Sequence, residues 1–187
     1  MYKRQACTAG SRIYIQEKIY DKVINGAVEK LSKLKMGNAL DEGSDIGAII
    51  SEEQLKRTLH YMDIAKQTSS AKVVHGGNQP TGGDYKNGFF YEPTLMSGVP
   101  VDSPVCQEEI FGPVACAIPF KTFEEVMQSA NDTPFGLSAV LWTQNLSRAL
   151  EFVEDIEAGF VQVNQCVAPR ANVSYGGLKM SLSLIHI

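Results

Sequence analysis

The sequence has too little positive charge to bind nucleic acid through a broad basic surface. Its 187 residues carry 17 basic and 21 acidic side chains, for a formal charge of −4, so no electrostatic footprint for phosphate backbones is expected. It also lacks an apolar run of about 18 residues and an apolar segment of the secretory type at its start. We therefore expect a cytoplasmic protein with no nucleic-acid partner and no membrane partner.

Cysteine and glycine are present but not in the spacings of common binding motifs. The four cysteines include no C-x-x-C pair, which argues against a zinc knuckle and against a thioredoxin motif. No G-x-G-x-x-G follows a predicted strand, so the dinucleotide-binding fingerprint is missing as well. We expect no metal site, reduced thiols, and one ordinary domain for a chain of this length.

Strand and helix patterns alternate along most of the chain. Residues 12–16 alternate as a strand does, and a helical stripe follows at Ile19, Val23, Ala27, Leu31 and Leu34. Capping boxes at Ser51-x-x-Gln54 and Thr122-x-x-Glu125 predict two further helix starts. Residues 114–120 are mostly apolar, as in a strand that is buried on both faces.

From residue 114 onward the predicted order is β, α, β, α, β, with connections too long for hairpins. The last of these helices is capped by Asn145, and its predicted apolar face comprises Leu146, Ala149, Leu150, Val153 and Ile156. The fold class is therefore α/β, with an open, mostly parallel sheet and helices on both faces. In such sheets, ligands usually gather at the carboxyl ends of the strands.

One cysteine lies among small residues just before the first strand, in the segment 5–12, QACTAGSR. Small residues allow backbone N–H groups to approach a thiol, where they can lower its pKa and later bind an oxyanion. A packed, unreactive thiol is the other interpretation of Cys7.

Adjacent acids meet an aromatic residue, a glycine and a proline in segment 108–114, EEIFGPV. A glutamate there could accept hydrogen bonds from two hydroxyl groups, as in a ribose, and Phe111 could lie against a flat ring. A solvated acidic turn beside a core phenylalanine is the alternative.

A third segment combines Val163-Asn164-Gln165 with a later glycine pair in 175–179, YGGLK. Paired glycines permit close approach of a backbone or a positive φ. An exposed turn would have the same composition, so this segment alone does not identify a site.

Taken together and in this order, these segments resemble those of the aldehyde dehydrogenase superfamily. Segment 5–12 resembles the nucleophile segment of that family, 108–114 its E-E-I-F-G-P-V signature, and 131–136 its N-x-T-x-Y/F-G-L turn. Segments 160–164 and 175–181 are similar to its G-x-V-x-V-N strand and its F-G-G-x-K-x-S-G segment. The resemblance covers about residues 3 to 181.

The resemblance implies an oxidoreductase that converts an aldehyde to a carboxylic acid with NAD or NADP. Cys7 would be the nucleophile that forms a thiohemiacetal and then a thioester. Cofactor contacts are implied for Glu109, Phe111, Gln54 and Arg57. The substrate side is implied for Asn164, Cys166, Val167 and Tyr175.

The family also has features that this sequence does not contain. Its glutamate base and its Rossmann cofactor domain precede the cysteine, whereas six residues precede Cys7 here. We therefore expect residues 1–180 to be an incomplete catalytic domain, residues 181–187 to be a tail foreign to the family, and the parent enzyme to be a homodimer or homotetramer. Two alternatives stay open: a fragment that is inactive alone, and a relative that transfers the acyl group to coenzyme A.

Overall fold

The computed structural model describes residues 6–166 and 172–182. The chain divides into two compact units, Met1–Phe120 and Lys121–Ile187. Within the described residues, no helix combines the length and apolar character needed to cross a membrane.

The first unit is a four-stranded sheet with three helices packed against it. Its elements are β1 Arg12–Gln16, α1 Tyr20–Leu31, α2 Glu52–Gln67, β2 Lys72–His75, β3 Thr94–Ser97, α3 Pro104–Gln107 and β4 Val114–Phe120. The strand order is β1-β4-β3-β2. Strands β1 and β3 run parallel to β4, and β2 runs antiparallel to β3.

Strand β4 is buried on both faces, as its apolar run predicts. Because successive side chains of a strand point to opposite faces, Val114, Cys116 and Ile118 join the core beneath α2 and α3. Ala115 and Ala117 join the other core, beneath α1. This confirms the predicted α/β fold with helices on both faces of a mostly parallel sheet.

The buried face of α1 differs from the predicted stripe. The helix ends at Leu31, and Ile24 is its buried residue, whereas Ile19 and Val23 are exposed. The residues that contact the sheet follow helical spacing from Tyr20: Tyr20, Ile24, Ala27, Val28 and Leu31. A short 3₁₀ turn over Glu17–Ile19 precedes α1, so the helical face starts later than the apolar pattern suggests.

One of the two predicted capping boxes is complete. The Thr122 hydroxyl accepts a hydrogen bond from the Glu125 N–H, and the Glu125 carboxylate reaches back to the Thr122 N–H. The Ser51 hydroxyl likewise accepts from the Gln54 N–H at 3.2 Å. The Gln54 side chain does not close that box, because it donates to a distant carbonyl instead.

The second unit contains α4 Phe123–Asn131, β5 Phe135–Gly136, β6 Ser138–Leu141, α5 Leu146–Asp155, β7 Phe160–Val163 and β8 Leu178–Lys179. Strands β6 and β7 are parallel and are joined through α5, as predicted. Strand β4 is not part of their sheet, so the predicted run from residue 114 does not form one continuous sheet.

The predicted apolar face of α5 is wrong in part. Leu146, Leu150 and Val153 are 73%, 57% and 52% exposed. Ile156, at the end of the helix, is buried as predicted, and it forms a cluster with Phe123 and with Phe152, which the predicted face did not include. The apolar pattern of α5 covers more than one face, and contact with the β6–β7 sheet selects the face of Phe152.

Candidate functional site

The cysteine segment and the E-E-I-F-G-P-V segment lie at the same edge of the first unit. The first segment ends where β1 begins, and the second ends where β4 begins, and these two strands are parallel neighbours. A backbone hydrogen bond of 2.8 Å from the Cys116 N–H to the Ser11 carbonyl joins them. Both segments therefore lie at the amino ends of their strands, and not at the carboxyl ends, where ligand-binding residues of open α/β sheets usually lie.

Cys7 is exposed and lies in a turn before β1. The Ala9 N–H closes this turn with a 3.0 Å hydrogen bond to the Ala6 carbonyl. All four cysteines lie in the described part of the chain, and each is a thiol and not half of a disulfide. An exposed thiol on a tight turn of small residues has the access that a nucleophile needs.

Helix α2 holds the E-E-I-F-G-P-V segment through its backbone carbonyl groups. The Gln54 amide donates to the Ile110 carbonyl at 2.7 Å. The Arg57 guanidinium donates from Nε and Nη2 to the Glu109 carbonyl, at 3.0 and 2.6 Å. Both predicted cofactor residues on α2 are therefore next to the segment, and their polar groups hold its backbone.

The two adjacent acids of the segment have different environments. The Tyr61 hydroxyl donates to the Glu108 carboxylate at 2.6 Å. Burial, and then this hydrogen bond, raise the pKa of Tyr61 above its ordinary value. The Glu109 side chain is exposed, and across residues 6–166 and 172–182 no hydrogen bond or ion pair to its carboxylate is found. Glu109 is thus the acid that remains available to a ligand.

Phe111 has a left-handed backbone with φ 55°. This conformation is costly for a large side chain and persists only where neighbouring contacts impose it. The contact that follows is equally tight, because a Cβ on Gly112 would lie 2.4 Å from the hydroxyl of Thr58, which is fully buried. Glycine is required here so that the segment can lie against α2.

Asn164 lies just after β7, and its side chain is bound to the backbone. Its Oδ1 accepts from the Thr143 N–H at 2.9 Å, and its Nδ2 donates to the Thr143 carbonyl at 2.7 Å. Like Phe111, it has a left-handed backbone, with φ 55°. This predicted substrate residue therefore connects the ends of two parallel strands within the second unit.

Two of the other three predicted substrate residues lie in the described part of the chain. Cys166 is exposed, two residues after Asn164. The ring of Tyr175 lies 5.4 Å from that of Phe160, between centroids. Val167 lies outside the described residues. Cys166 and Tyr175 belong to the second unit, whereas Cys7, Gln54, Arg57, Glu109 and Phe111 belong to the first.

Sequence reasoning missed two groups of supporting residues. Thr58 and Tyr61 follow Gln54 at helical spacing, a pattern that could have indicated a shared polar face on α2. In the second unit, the Lys179 ammonium donates to the carbonyls of Asn131 and Thr133. It also pairs with Glu157, so it ties together three parts of that unit.

Two relatives of this chain are named as dehydrogenases of aldehydes. The chain matches the family described as "Aldehyde dehydrogenase family" over residues 1–183. It is 36% identical over 177 residues to a betaine aldehyde dehydrogenase of Mesorhizobium japonicum, with 95% of this chain and 36% of that protein covered. It is 40% identical over 172 residues to a D-glyceraldehyde dehydrogenase (NADP(+)) of Picrophilus torridus, with 91% and 34% covered.

Solved structures agree with this assignment. A betaine aldehyde dehydrogenase of Staphylococcus aureus, solved in complex with NAD+, superposes with a TM-score of 0.90 at 34% identity, covering 94% of this chain and 35% of that one. The chain spans about a third of the length of the curated relatives it matches. The chain belongs to the aldehyde dehydrogenase family.

Proposed function

We propose that the protein oxidises an aldehyde to a carboxylic acid with NAD(P)⁺ and that Cys7 is its nucleophile. One observation carries the proposal: the exposed Cys7 segment and the segment of Glu109 lie at the amino ends of the adjacent strands β1 and β4. This arrangement supports a nucleophile and a ribose-binding carboxylate at one edge of one sheet. The names of the relatives supply the substrate class.

In the proposed reaction, the Cys7 thiolate attacks the aldehyde carbon to form a thiohemiacetal. The backbone N–H of Cys7 contributes to the binding of the resulting oxyanion. Bound NAD(P)⁺ supplies the acceptor for the hydride that leaves this carbon. Water then cleaves the Cys7 thioester, releasing the acid and restoring the thiol.

The residues of the first unit are chemically suited to the nicotinamide half of that cofactor. The exposed Glu109 carboxylate can accept hydrogen bonds from two ribose hydroxyls. The Phe111 ring can lie against a nicotinamide ring. Gln54 and Arg57 act in this proposal as positioning residues, since their polar groups hold the carbonyls of Ile110 and Glu109.

The cofactor is proposed only as NAD or NADP. One relative is named for NADP(+), and several solved structures of one relative, a betaine aldehyde dehydrogenase of Staphylococcus aureus, hold NAD+. Some of those structures also contain a BME-modified cysteine, which indicates that a thiol of that protein is reactive. This supports a thiol nucleophile in the family.

The family resemblance also assigns Asn164, Cys166, Val167 and Tyr175 to the substrate, and we keep that assignment as part of the proposal. A homo-oligomeric assembly is part of the same proposal, and light scattering of the natural protein would test it.

The first experiment isolates the acyl transfer to Cys7 from the redox step. The chain is incubated with p-nitrophenyl acetate and analysed by peptide mass spectrometry. We expect one acetyl group on the peptide of Cys7 and none on the peptide of Cys166, although both cysteines are exposed. Cys7→Ser should abolish the release of p-nitrophenolate, whereas release that continues in this variant would show that another thiol, such as the exposed Cys166, is acylated.

The second experiment measures NAD(P)H formation from aldehydes by the natural protein. Cys7→Ala should eliminate turnover, because it removes the covalent intermediate, while cofactor binding remains measurable by calorimetry. Turnover in Cys7→Ala equal to that of the unmodified protein would refute the assignment of Cys7. Adding coenzyme A tests the alternative in which coenzyme A, and not water, accepts the acyl group. An acyl-CoA product would exclude hydrolysis as the main reaction.

A further inference from the structure

Two cysteines that the proposed reaction does not use are buried side by side in the first unit. Cys106 lies on α3 and Cys116 on β4, with exposed fractions of 6% and 2%. Both belong to the core between the sheet and helices α2 and α3. The two thiols lie within reach of each other, since hydrogen bonding by Cys116 lowers the pKa of Cys106.

The surroundings of this pair lower the pKa of Cys106. In the sheet, Arg12 of β1 is in register with Cys116 and projects on the same face of the sheet. The hydrogen bond from Cys116 lowers the pKa of Cys106, and the positive charge of Arg12 lowers it further, against the opposing effects of burial and of Asp102. A thiolate is the form of cysteine that reacts with oxidants.

We propose that Cys106 and Cys116 are a dithiol that a hydroperoxide oxidises to a disulfide. The Cys106 thiolate attacks one peroxide oxygen, the O–O bond breaks, and Cys106 becomes a sulfenic acid as the first water forms. The Cys116 thiol then attacks that sulfur, and the hydroxyl leaves as the second water. Two thiols are oxidised and one hydrogen peroxide is reduced to two waters.

The position of the pair connects this chemistry to the site already described. The two cysteines flank residues 107–115, the loop that carries Glu109 and Phe111. The Cys116 N–H is also bonded to Ser11, at the end of the Cys7 segment. A disulfide would close that loop into a covalent ring. The chemistry of the pair does not depend on the proposed oxidation of aldehydes, and its test does not measure that activity.

The experiment follows each thiol by differential labelling. The native chain is first treated with N-ethylmaleimide, which should label the exposed Cys7 and Cys166 and leave the buried pair unlabelled. Hydrogen peroxide is then added and removed with catalase, and the chain is denatured in isotopically heavy N-ethylmaleimide. Without peroxide, Cys106 and Cys116 should each take the heavy label. After peroxide, neither should, and mass spectrometry should find their peptides joined with the loss of two hydrogens until dithiothreitol is added.

Two variants separate the pair from general oxidation. In Cys116→Ala, Cys106 should progress to sulfinic acid, because the resolving thiol is missing. In Cys106→Ala, Cys116 should keep its heavy label after peroxide. Circular dichroism verifies the fold of both variants. If either variant fails to fold, the labelling and mass spectrometry of the unmodified chain decide the question.

Three results would overturn the proposal. The first is full heavy labelling of Cys106 and Cys116 under peroxide that already oxidises the exposed Met180 to its sulfoxide. The second is sulfinic acid at Cys106 in the unmodified chain. The third is a disulfide that joins two chains, detected as a dimer on a non-reducing gel.

Discussion

The guanidinium of Arg57 donates two hydrogen bonds to one backbone oxygen, the carbonyl of Glu109, at 3.0 and 2.6 Å. Because the bonds reach the backbone and not the carboxylate, Arg57 fixes the course of the chain and leaves the Glu109 side chain exposed. The geometry of Arg57, which the family resemblance associates with the cofactor, is that of a support for the backbone of Glu109.

Replacing Arg57 should weaken cofactor binding without removing a cofactor contact. Lysine cannot reproduce the two-pronged donor geometry, and a lost charged hydrogen bond is worth about 1.5–3 kcal/mol. Arg57→Lys should therefore raise the Kd for NAD(P)⁺ by about tenfold or more in calorimetry of the natural protein. Lys56→Ala is the matched control, because Lys56 pairs with the exposed Glu52, and it should leave the Kd unchanged. An unchanged Kd in Arg57→Lys would show that the carbonyl contact is not needed for binding.

The contact between Gly112 and Thr58 makes a prediction about stability. An added Cβ at Gly112 would lie 2.4 Å from the Thr58 hydroxyl and 3.3 Å from its methyl group. Gly112→Ala should therefore destabilise the chain by about 1–3 kcal/mol, the usual cost of overpacking, as measured by urea unfolding. Thr58→Ala in the same chain removes both obstructing atoms and should recover part of this loss. Gly82→Ala, where no atom lies within 4 Å, should change the unfolding free energy little.

The local patterns that the sequence predicted correctly are those set by neighbouring residues. The capping box of Thr122 and Glu125 depends on a spacing of three residues. The burial of β4 on both faces follows from its unbroken apolar run. The predicted α/β class rests on the same alternation of strands and helices.

Long-range partners account for what the sequence did not predict. The spacing of Ser51 and Gln54 predicts that the Gln54 side chain binds the start of its own helix. Nothing in that spacing indicates that the Gln54 amide donates to the distant Ile110 carbonyl instead. The apolar residues of α5 fit more than one face, and only the position of the sheet selects Phe152 over Leu150. The segments of Cys7 and Glu109 meet at the amino ends of β1 and β4 because these two strands are neighbours in the sheet. The order of the strands cannot be read from the sequence of either segment alone.

Tyr91 should make the stability of the chain fall at high pH. Burial, followed by the charges of Glu92 and Asp63, raises the pKa of Tyr91 from 10.0 to about 12. The folded chain thus keeps this proton where the unfolded chain has lost it. The contribution is complete below the unfolded pKa and is lost as the pH rises toward about 12.

Urea unfolding across that pH range tests this assignment. Tyr91→Phe should be less stable near neutral pH by about 0.5–1.5 kcal/mol, because it loses the hydrogen bond to the Gly77 carbonyl. The difference between the two proteins should narrow above pH 10, since the phenylalanine ring of the variant has no proton to lose. Tyr20 and Tyr61 have raised pKa values in both proteins, so their effects cancel in the difference. A difference that stays constant with pH would contradict the assignment to Tyr91.

Lys179 should control the protection of backbone amides within the second unit. Its ammonium group bonds the carbonyls of Asn131 and Thr133 and pairs with Glu157. Nearby, the Met180 N–H donates to the Pro134 carbonyl, and the Gly136 N–H donates to the Ser181 hydroxyl. Lys179→Met keeps the length of the side chain but leaves these carbonyls without their charged donor, at a cost of about 1–3 kcal/mol.

Hydrogen exchange read by mass spectrometry locates this effect. Peptides that contain Gly136 and Met180 should exchange faster in Lys179→Met, while peptides of β4 in the first unit should be unchanged. Lys66→Met is the matched control, because Lys66 lies 3.6 Å from Asp63 and both side chains are mostly exposed. Exposed pairs of this kind contribute about 0–1 kcal/mol, so the control should exchange as the unmodified chain does. If Lys179→Met did so too, the turn after α4 and strand β8 would be held without the Lys179 ammonium group.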